Sequence, residues 1–201
     1  MTNLPVTGTF RITATYGQRG PYWKDGHKGI DFTDNNHTIY STCYGTVRVV
    51  SYDAGGWGQY ISIGDDAGRR HIFCHLERGS VRVRVGERVT PLTVIGTMGA
   101  TGNVTGLHLH YQLQQGSVVV DPAPYLGIPN KIGTYHSKDF ETGGEVADLD
   151  FKDANEIPEW AREAVKKVVE KGWMQGDSEG TFRPNEPVTR AELAVVLSRM
   201  M

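Results

Sequence analysis

The sequence predicts a protein of two parts, an all-β domain built as an antiparallel sheet or sandwich and a small α-helical module. First, short β-branched and aromatic runs, broken by Gly, Asn and Asp, extend from Phe10 to about Leu126. Second, residues 128–147 are polar, glycine-bearing and aperiodic. Third, two segments near the C-terminus have helical periodicity. We therefore predict a domain at residues 1–127, a linker at 128–147 and a helical module at 148–201.

Seven runs account for the predicted strands of the first domain. In chain order they are FRITATYG, GTVRVVSYD, GQYISIGDD, RRHIFCHL, TVIGTMG, HLHYQLQQ and SVVVDP. Strands of this length, with turn residues between them, are typical of a sandwich or of a multi-stranded antiparallel sheet.

Two apolar stripes predict the helices of the C-terminal module. In IPEWAREAVKKVVEKGW, Pro158 stands near the start and Gly172 is placed to cap the C-terminal end. The apolar face of this helix comprises Trp160, Ala161, Ala164, Val165, Val168 and Val169. Thr189 and Glu192 have the spacing of a capping box, which predicts the start of the second helix. A module of this size holds little core by itself.

Composition and charge exclude several classes of protein. The chain has 201 residues, of which 38% are hydrophobic and 22% charged, as expected of a globular protein rather than a disordered one. Its net charge of −2 provides no basic surface for nucleic acid. Two cysteines, Cys43 and Cys74, leave open whether they pair, although two buried thiols are expected.

The N-terminal segment MTNLPVTGTF lacks a basic region followed by an apolar one, and no later run is long and apolar enough to span a membrane. We expect a chain made in the cytoplasm without a signal peptide. A secreted mature form remains the alternative.

The stretch TGLHLHYQL places two histidines on one strand. Because alternate side chains of a strand share a face, His108 and His110 point the same way, about 7 Å apart. Leu107 and Leu109 then point into the core.

The stretch HIFCHL carries two more histidines. The same alternation puts His71 and His75 on one face and makes Cys74 a small core residue. We interpret His71, like His37 and His136, as a surface or rim residue, because no partner spacing singles it out.

A third stretch, GHKGIDF, places His27 and Asp31 four positions apart, and zinc chemistry connects it to the histidine strands. Catalytic zinc takes three ligands from His and Asp or Glu and leaves one position for water. His27, Asp31 and His110 fill that role, with one zinc ion per chain. His75 and His108 are then the candidates to transfer protons and to stabilise the tetrahedral adduct.

The segment from about Val6 to Leu126 resembles the lysostaphin-type, or LytM-type, zinc metallopeptidases, which cut peptide bonds in bacterial peptidoglycan. The matching stretches are GHKGIDF, CYGTVRVV, GGWGQYISI, FCHL and GATGNVTGLHLHYQL. The resemblance implies the same three zinc ligands and the same catalytic pair of histidines.

The segment from about Leu149 to the C-terminus resembles one S-layer homology repeat, on the strength of FKD, WA, GDSEGTFRP and VTRAE. Such repeats imply noncovalent attachment to an anionic secondary cell-wall polymer. Arg190 is the predicted contact, because a guanidinium offers a planar fork of donors, and Trp160 is a second candidate. The alternative is that Arg190 pairs with Glu192 or another neighbour on the helix surface. A lone repeat is expected either to self-associate or to bind weakly.

Together the two resemblances predict a zinc-dependent peptidoglycan endopeptidase anchored to the wall, and they favour a phage or prophage endolysin that acts after release by lysis. The alternatives are a non-catalytic LytM-type regulator and a wall-anchored binding protein with a structural metal. Which peptidoglycan bond is cut stays open, since selectivity lies in groove loops.

Overall fold

A computed structural model describes residues 4–140 and 151–200; the side chains of Glu159, Trp160 and Glu163 are not described. The chain divides into two compact units, with the boundary between residues 141 and 142. The two units are described separately below. No helix among the described residues has the length and apolar character needed to cross a membrane.

The first unit consists mainly of short strands. They are β1 (Thr9–Ala14), β2 (Ile30–Asp34), β3 (Thr38–Tyr40), β4 (Gly45–Asp53), β5 (Gly58–Asp65), β6 (Arg69–Leu76), β7 (Arg88–Val89), β8 (Val94–Thr97), β9 (Leu109–Gln115), β10 (Val118–Val120) and β11 (Gly133–His136). A short helix, α1 (Ala123–Leu126), follows β10, and a 3-10 turn at Ser137–Phe140 follows β11.

The main sheet is antiparallel and has the strand order β11, β1, β2, β9, β6, β5, β4, β7. The first half of β9 pairs with β2, and its second half pairs with β10. β3 and β8 form a separate two-stranded sheet. This architecture confirms the predicted antiparallel all-β domain.

The core lies against one face of the sheet, and the central strands are buried on both faces. On β1, Phe10 and Ile12 point inward and alternate with exposed residues. In β6, every residue from His71 to Leu76 is buried, and β9 is buried from Leu109 to Leu113. Polar side chains on β6 and β9 are therefore withdrawn from water.

The predicted linker at 128–147 is wrong for residues 128–140. β11 pairs with β1, and Ile128 is buried in the core. Phe140 packs on Phe10 with ring centroids 6.2 Å apart. Residues 128–140 thus belong to the first unit; the rest of the predicted linker lies outside the described residues.

The second unit contains α2 (Glu159–Glu170) and α3 (Arg190–Met200). Gly172, at φ +68°, follows the end of α2, where the Trp173 N–H donates to the Val168 carbonyl at 2.9 Å. The predicted capping box is present, because the Glu192 N–H donates to Thr189 Oγ1 at 3.2 Å and the Thr189 N–H donates to Glu192 Oε2 at 2.8 Å.

The core of the second unit is small. Its buried hydrophobic residues are Ala154, Ile157 and Val165, with Phe151 and Phe182 packed against them. None of the residues of α3 is buried. The expectation that this module holds little core agrees with the described residues.

Candidate metal centre

Two neighbouring strands and the loop before them bring the three predicted ligands together. Asp31 on β2 lies directly opposite His110 on β9, and His27 precedes β2. Asp31 Oδ1 lies 2.8 Å from His110 Nδ1 and 3.2 Å from His27 Nε2. The two histidine nitrogens are 2.9 Å apart. These atoms form the one cluster of potential metal ligands found among the described residues.

Backbone contacts orient the cluster. The Nδ1 of His27 lies 3.0 Å from the Thr15 carbonyl oxygen, which leaves Nε2 for the cluster. Gly29 is required by close approach, because a Cβ there would collide with the Tyr111 carbonyl oxygen and lie 2.7 Å from Cε1 of His110. The glycine of GHKGIDF therefore lets β2 approach β9 closely enough for Asp31 to meet His110.

The two predicted catalytic histidines lie beside this cluster. The ring centroids of His75 and His108 are 4.9 Å apart, and His108 Nε2 lies 3.8 Å from Asp31 Oδ2. The Nδ1 of His75 lies 2.9 Å from the Thr101 carbonyl oxygen, and that of His108 lies 2.9 Å from the Gly106 carbonyl oxygen. A proton on Nδ1 of His75, donated to the Thr101 carbonyl, leaves Nε2 of the neutral ring unprotonated.

His75 shows why strand alternation alone misplaces side chains here. Its φ is +64°, in the left-handed region, so the alternation along β6 breaks at this residue. His75 lies beside His108, whereas His71 lies in the interior. The prediction that these two histidines share a face is therefore wrong.

His71 is also not a surface residue, as predicted; it is fully buried. Its Nδ1 lies 2.7 Å from the Tyr111 hydroxyl and 3.0 Å from Thr42 Oγ1, and its Nε2 lies 3.3 Å from Asp65 Oδ2. His37 and His136 are partly exposed, as expected. Leu107 is exposed as well, contrary to the prediction that it points into the core.

Electrostatics set the charge states of Asp31 and His75. Burial by itself would raise the pKa of Asp31, but hydrogen bonds from His110 and His27 hold it well below its ordinary value. Burial lowers the pKa of His75 to about 4, and the neighbouring His108 and His110 contribute in the same direction. At neutral pH, Asp31 is therefore a carboxylate and His75 a neutral base.

Two imidazole nitrogens and a carboxylate oxygen are a donor set that suits a catalytic zinc ion, because zinc takes three such ligands and keeps one position open. The open side faces a groove of about 910 Å³. Trp23 and Trp57 line this groove, together with the loop at residues 103–107. The residues present fit the metal, and a peptide has access to it.

Sequence reasoning missed three groups around the site. Thr101 holds the ring of His75, and the Trp57 carbonyl accepts the backbone N–H of His75 at 2.8 Å. Gln112 lines the groove two residues beyond His110. The GATG and GGWG stretches were visible signals for the first two, because glycines mark close backbone approach. Gln112 had no signal beyond its place on the histidine strand.

Both cysteines are buried and unpaired, as expected. Burial raises the pKa of Cys43 to about 12 and that of Cys74 well above its ordinary value. Their thiols are therefore protonated and do not compete for the metal.

In the second unit, Arg190 is exposed at the first position of α3. The alternative pairing with Glu192 is absent from the described residues; the Glu192 carboxylate accepts from Thr189 instead and lies 3.9 Å from Arg183. Trp160, the second candidate, lies in α2, but its side chain is outside the described part of the chain.

Comparisons with known proteins agree with this geometry. Residues 25–122 match the model of peptidase family M23, and residues 150–194 match that of the S-layer homology domain. The L-Ala–D-Glu endopeptidase of Bacillus subtilis is 31% identical over 137 residues, which are 61% of this chain and 41% of that protein. The chain spans less than half the length of the curated relatives it matches.

Solved structures resemble the first unit. The catalytic domain of lysostaphin from Staphylococcus simulans has a TM-score of 0.54 and 28% identity, over 59% of this chain and 92% of that chain. The catalytic domain of a prophage-encoded M23 protein from Enterococcus faecalis has a TM-score of 0.51 and 28% identity, over 58% and 91%.

The fold and the site therefore define a metallopeptidase domain. The chain carries a domain of peptidase family M23 followed by one S-layer homology domain.

Proposed function

We propose that the chain is a zinc-dependent endopeptidase that hydrolyses peptide bonds of bacterial peptidoglycan and is held on the wall by its S-layer homology domain. The observation that carries the proposal is the convergence of His27, Asp31 and His110 beside His75 and His108 at an open groove. Similarity to the L-Ala–D-Glu endopeptidase and to lysostaphin supports this substrate class.

A zinc ion bound to the three ligands supplies Lewis-acid chemistry and lowers the pKa of a water molecule. His75 is neutral at neutral pH, so its Nε2 is available to accept a proton from the attacking water. His108 lies beside both Asp31 and His75, where its Nε2 can hydrogen-bond the oxygen of the attacked carbonyl. Carbonyl oxygens of Thr101 and Gly106 keep both rings in position.

The second unit is the part of the chain that we propose binds the cell wall. Its surface offers Arg190, which is exposed and, within the described part of the unit, unpaired. A guanidinium in this state is suited to a carboxylate or ketal group of a wall polymer.

α3 also exposes Leu193, Val195, Leu197 and Met200, which supports self-association of this module.

We further infer that the chain is a phage or prophage endolysin, in which a wall-cutting domain and a wall-binding domain act together. The similarity to a prophage-encoded M23 protein supports this origin.

The test is to measure the metal content of the purified chain together with its action on defined peptidoglycans. We expect about one zinc per chain, and release of soluble fragments that stops with a chelator and resumes with zinc. Mass spectrometry of the fragments identifies the amide that is cut. Bound zinc without cleavage of any wall type would instead favour a non-catalytic wall-binding regulator.

A further inference from the structure

Gln112 differs from the other buried polar residues of the described part of the chain, because its side chain has no hydrogen-bond partner within the protein. It is 4% exposed. The other buried polar side chains each have at least one hydrogen-bond partner within the protein; they are His27, Asp31, Asp34, Ser41, Thr42, Ser62, His71, His75, His110 and Ser137. Within the described residues, the amide of Gln112 has no such partner. Among the described residues, the buried side-chain atom without a partner is Asp34 Oδ2, whereas the amide atoms of Gln112 reach the groove and are available to a molecule bound there.

The position of Gln112 in the groove indicates which kind of molecule could bond its amide. Gln112 follows His110 by two residues on β9, so the two side chains share a face of the sheet, about 7 Å apart. The groove that passes the metal ligands continues to Gln112 and Val119. Two residues of an extended peptide span the same distance of about 7 Å.

We propose that Gln112 is a substrate-positioning residue that binds a backbone peptide unit next to the scissile bond; this rests on the function proposed above. A primary amide carries both donors and an acceptor, which match the C=O and N–H of a peptide unit. Opposite Gln112, β6 contributes the fully buried Ile72. Ile72 has no polar side-chain atom and therefore does not satisfy the amide of Gln112.

The chain offers a matched control. Gln114 is the same residue type on the same face of β9, two positions further on, where it is partly exposed and outside the groove lining. Gln112→Leu removes the hydrogen-bonding groups at similar size, and Gln114→Leu makes the same change off the groove.

On a soluble muropeptide, Gln112→Leu should lower kcat/KM by about tenfold to hundredfold, the usual scale for losing a substrate hydrogen bond. The loss should lie in KM, with kcat within about threefold, because the contact is made before and during the reaction. Zinc content should be unchanged, and Gln114→Leu should match the parent chain. Gln112→Glu, which keeps an acceptor, should show a smaller loss.

Binding measured by calorimetry in a His75→Ala background tests the contact without hydrolysis, so its result is independent of whether the parent chain cleaves that substrate. Gln112→Leu should weaken binding about tenfold there. Unchanged KM and binding, an equal effect of Gln114→Leu, or loss of zinc from Gln112→Leu would each overturn the assignment. If Gln112→Leu fails to fold, Gln112→Glu decides, and parent-like KM and binding in that variant would overturn it as well.

Discussion

The two units of this chain differ in how completely each one buries its own apolar surface. The first has a contiguous core that draws on nearly every strand, with Phe10, Phe32, Phe73 and Tyr111 almost fully buried. The second buries three hydrophobic residues, and α3 buries none. Chemistry that depends on side chains held within tenths of an ångström belongs in the first kind of unit.

This difference agrees with the two proposed tasks, catalysis in the first unit and wall binding in the second. Asp31 and His110 occupy opposite positions on paired strands. The distance between their side chains therefore cannot change much unless the pairing of the two strands changes. Arg190 stands on an exposed helix end, where a flexible side chain can follow a heterogeneous polymer. We therefore expect changes in the first unit to act on catalysis and those in the second to act on retention at the wall.

The largest effect is expected for Asp31→Ala. It removes one of the three proposed ligands, so zinc and all detectable hydrolysis should be lost, while binding to intact wall should be retained. Metal analysis and muropeptide hydrolysis measure the first two and a sedimentation assay the third. Asp66→Ala is the control, since this exposed aspartate only pairs with Arg88. Zinc retained by Asp31→Ala would contradict the ligand assignment.

The second-largest effect is expected from truncation, which tests where the first unit ends. A chain ending at Gly127 loses β11 and the Tyr135 and Phe140 rings that pack on Phe10. We expect it to lose about 4 kcal/mol of unfolding free energy or more, judged from deletions of large core side chains. A chain ending at Glu141 should fold, bind zinc and cut soluble muropeptides at the full rate.

Urea denaturation and zinc content of the two truncated chains check this expectation. Equal midpoints would mean that β11 contributes nothing to the sheet. The chain ending at Glu141 also tests the proposed self-association, because it should be monomeric by light scattering where the full chain is not.

The third-largest effect is expected for the two histidines that are proposed to be catalytic. His75→Ala and His108→Ala should each keep zinc but lower kcat by about 10²-fold to 10⁴-fold, the range for losing a general acid–base or oxyanion group. Metal analysis separates them from Asp31→Ala. His136→Ala serves as control, because this partly exposed histidine lies on β11. Loss of zinc from His75→Ala would show that His75 is a ligand.

These residues also show which parts of the fold and of the site could be predicted from the sequence. GHKGIDF and HLHYQL could be placed on one site because a catalytic zinc ion needs three such ligands and because both stretches match motifs of one family. Strand alternation added that His108 and His110 share a face. β11 could not, since its GTYH is short and its pairing with β1 is set by residues more than a hundred positions away. His71 was misjudged for a similar reason, because Thr42, Asp65 and Tyr111 reach it from three other segments.

His71 provides the fourth prediction, which concerns stability and pH. Burial lowers its pKa to about 4 despite the hydrogen bond to Asp65, whereas an unfolded histidine has a pKa of about 6.5. Between these values the unfolded state binds more protons, so stability must fall as the pH drops from about 6.5 to 4. His71 should account for about 3 kcal/mol of the loss, and His75, whose pKa is also lowered to about 4, should add to it in the same pH range. Arg69 and Tyr111 also adjoin this group but stay protonated throughout.

Urea midpoints of the full chain between pH 7.5 and 4 measure this slope. His71→Gln, which is neutral at every pH, should be less stable at pH 7.5 but show a flatter dependence. Asp65 has a lowered pKa and so contributes below this window. An unchanged slope in His71→Gln would assign the pH dependence to another group.

The smallest effect is expected in the second unit. Arg190→Ala should weaken binding to polymer-bearing wall by about threefold to tenfold, since it removes one charge-assisted contact at an exposed site. Hydrolysis of soluble muropeptides should be unchanged, because the five residues of the proposed active site lie in the first unit. Arg190→Lys keeps the charge but loses the planar fork, so it should recover part of the binding. Lys152→Ala removes an exposed cation of the same unit and should have no effect.

If the parent chain binds equally to untreated wall and to wall stripped of its secondary polymer, the second unit is not an anchor for that polymer, and its exposed α3 would then serve association between chains.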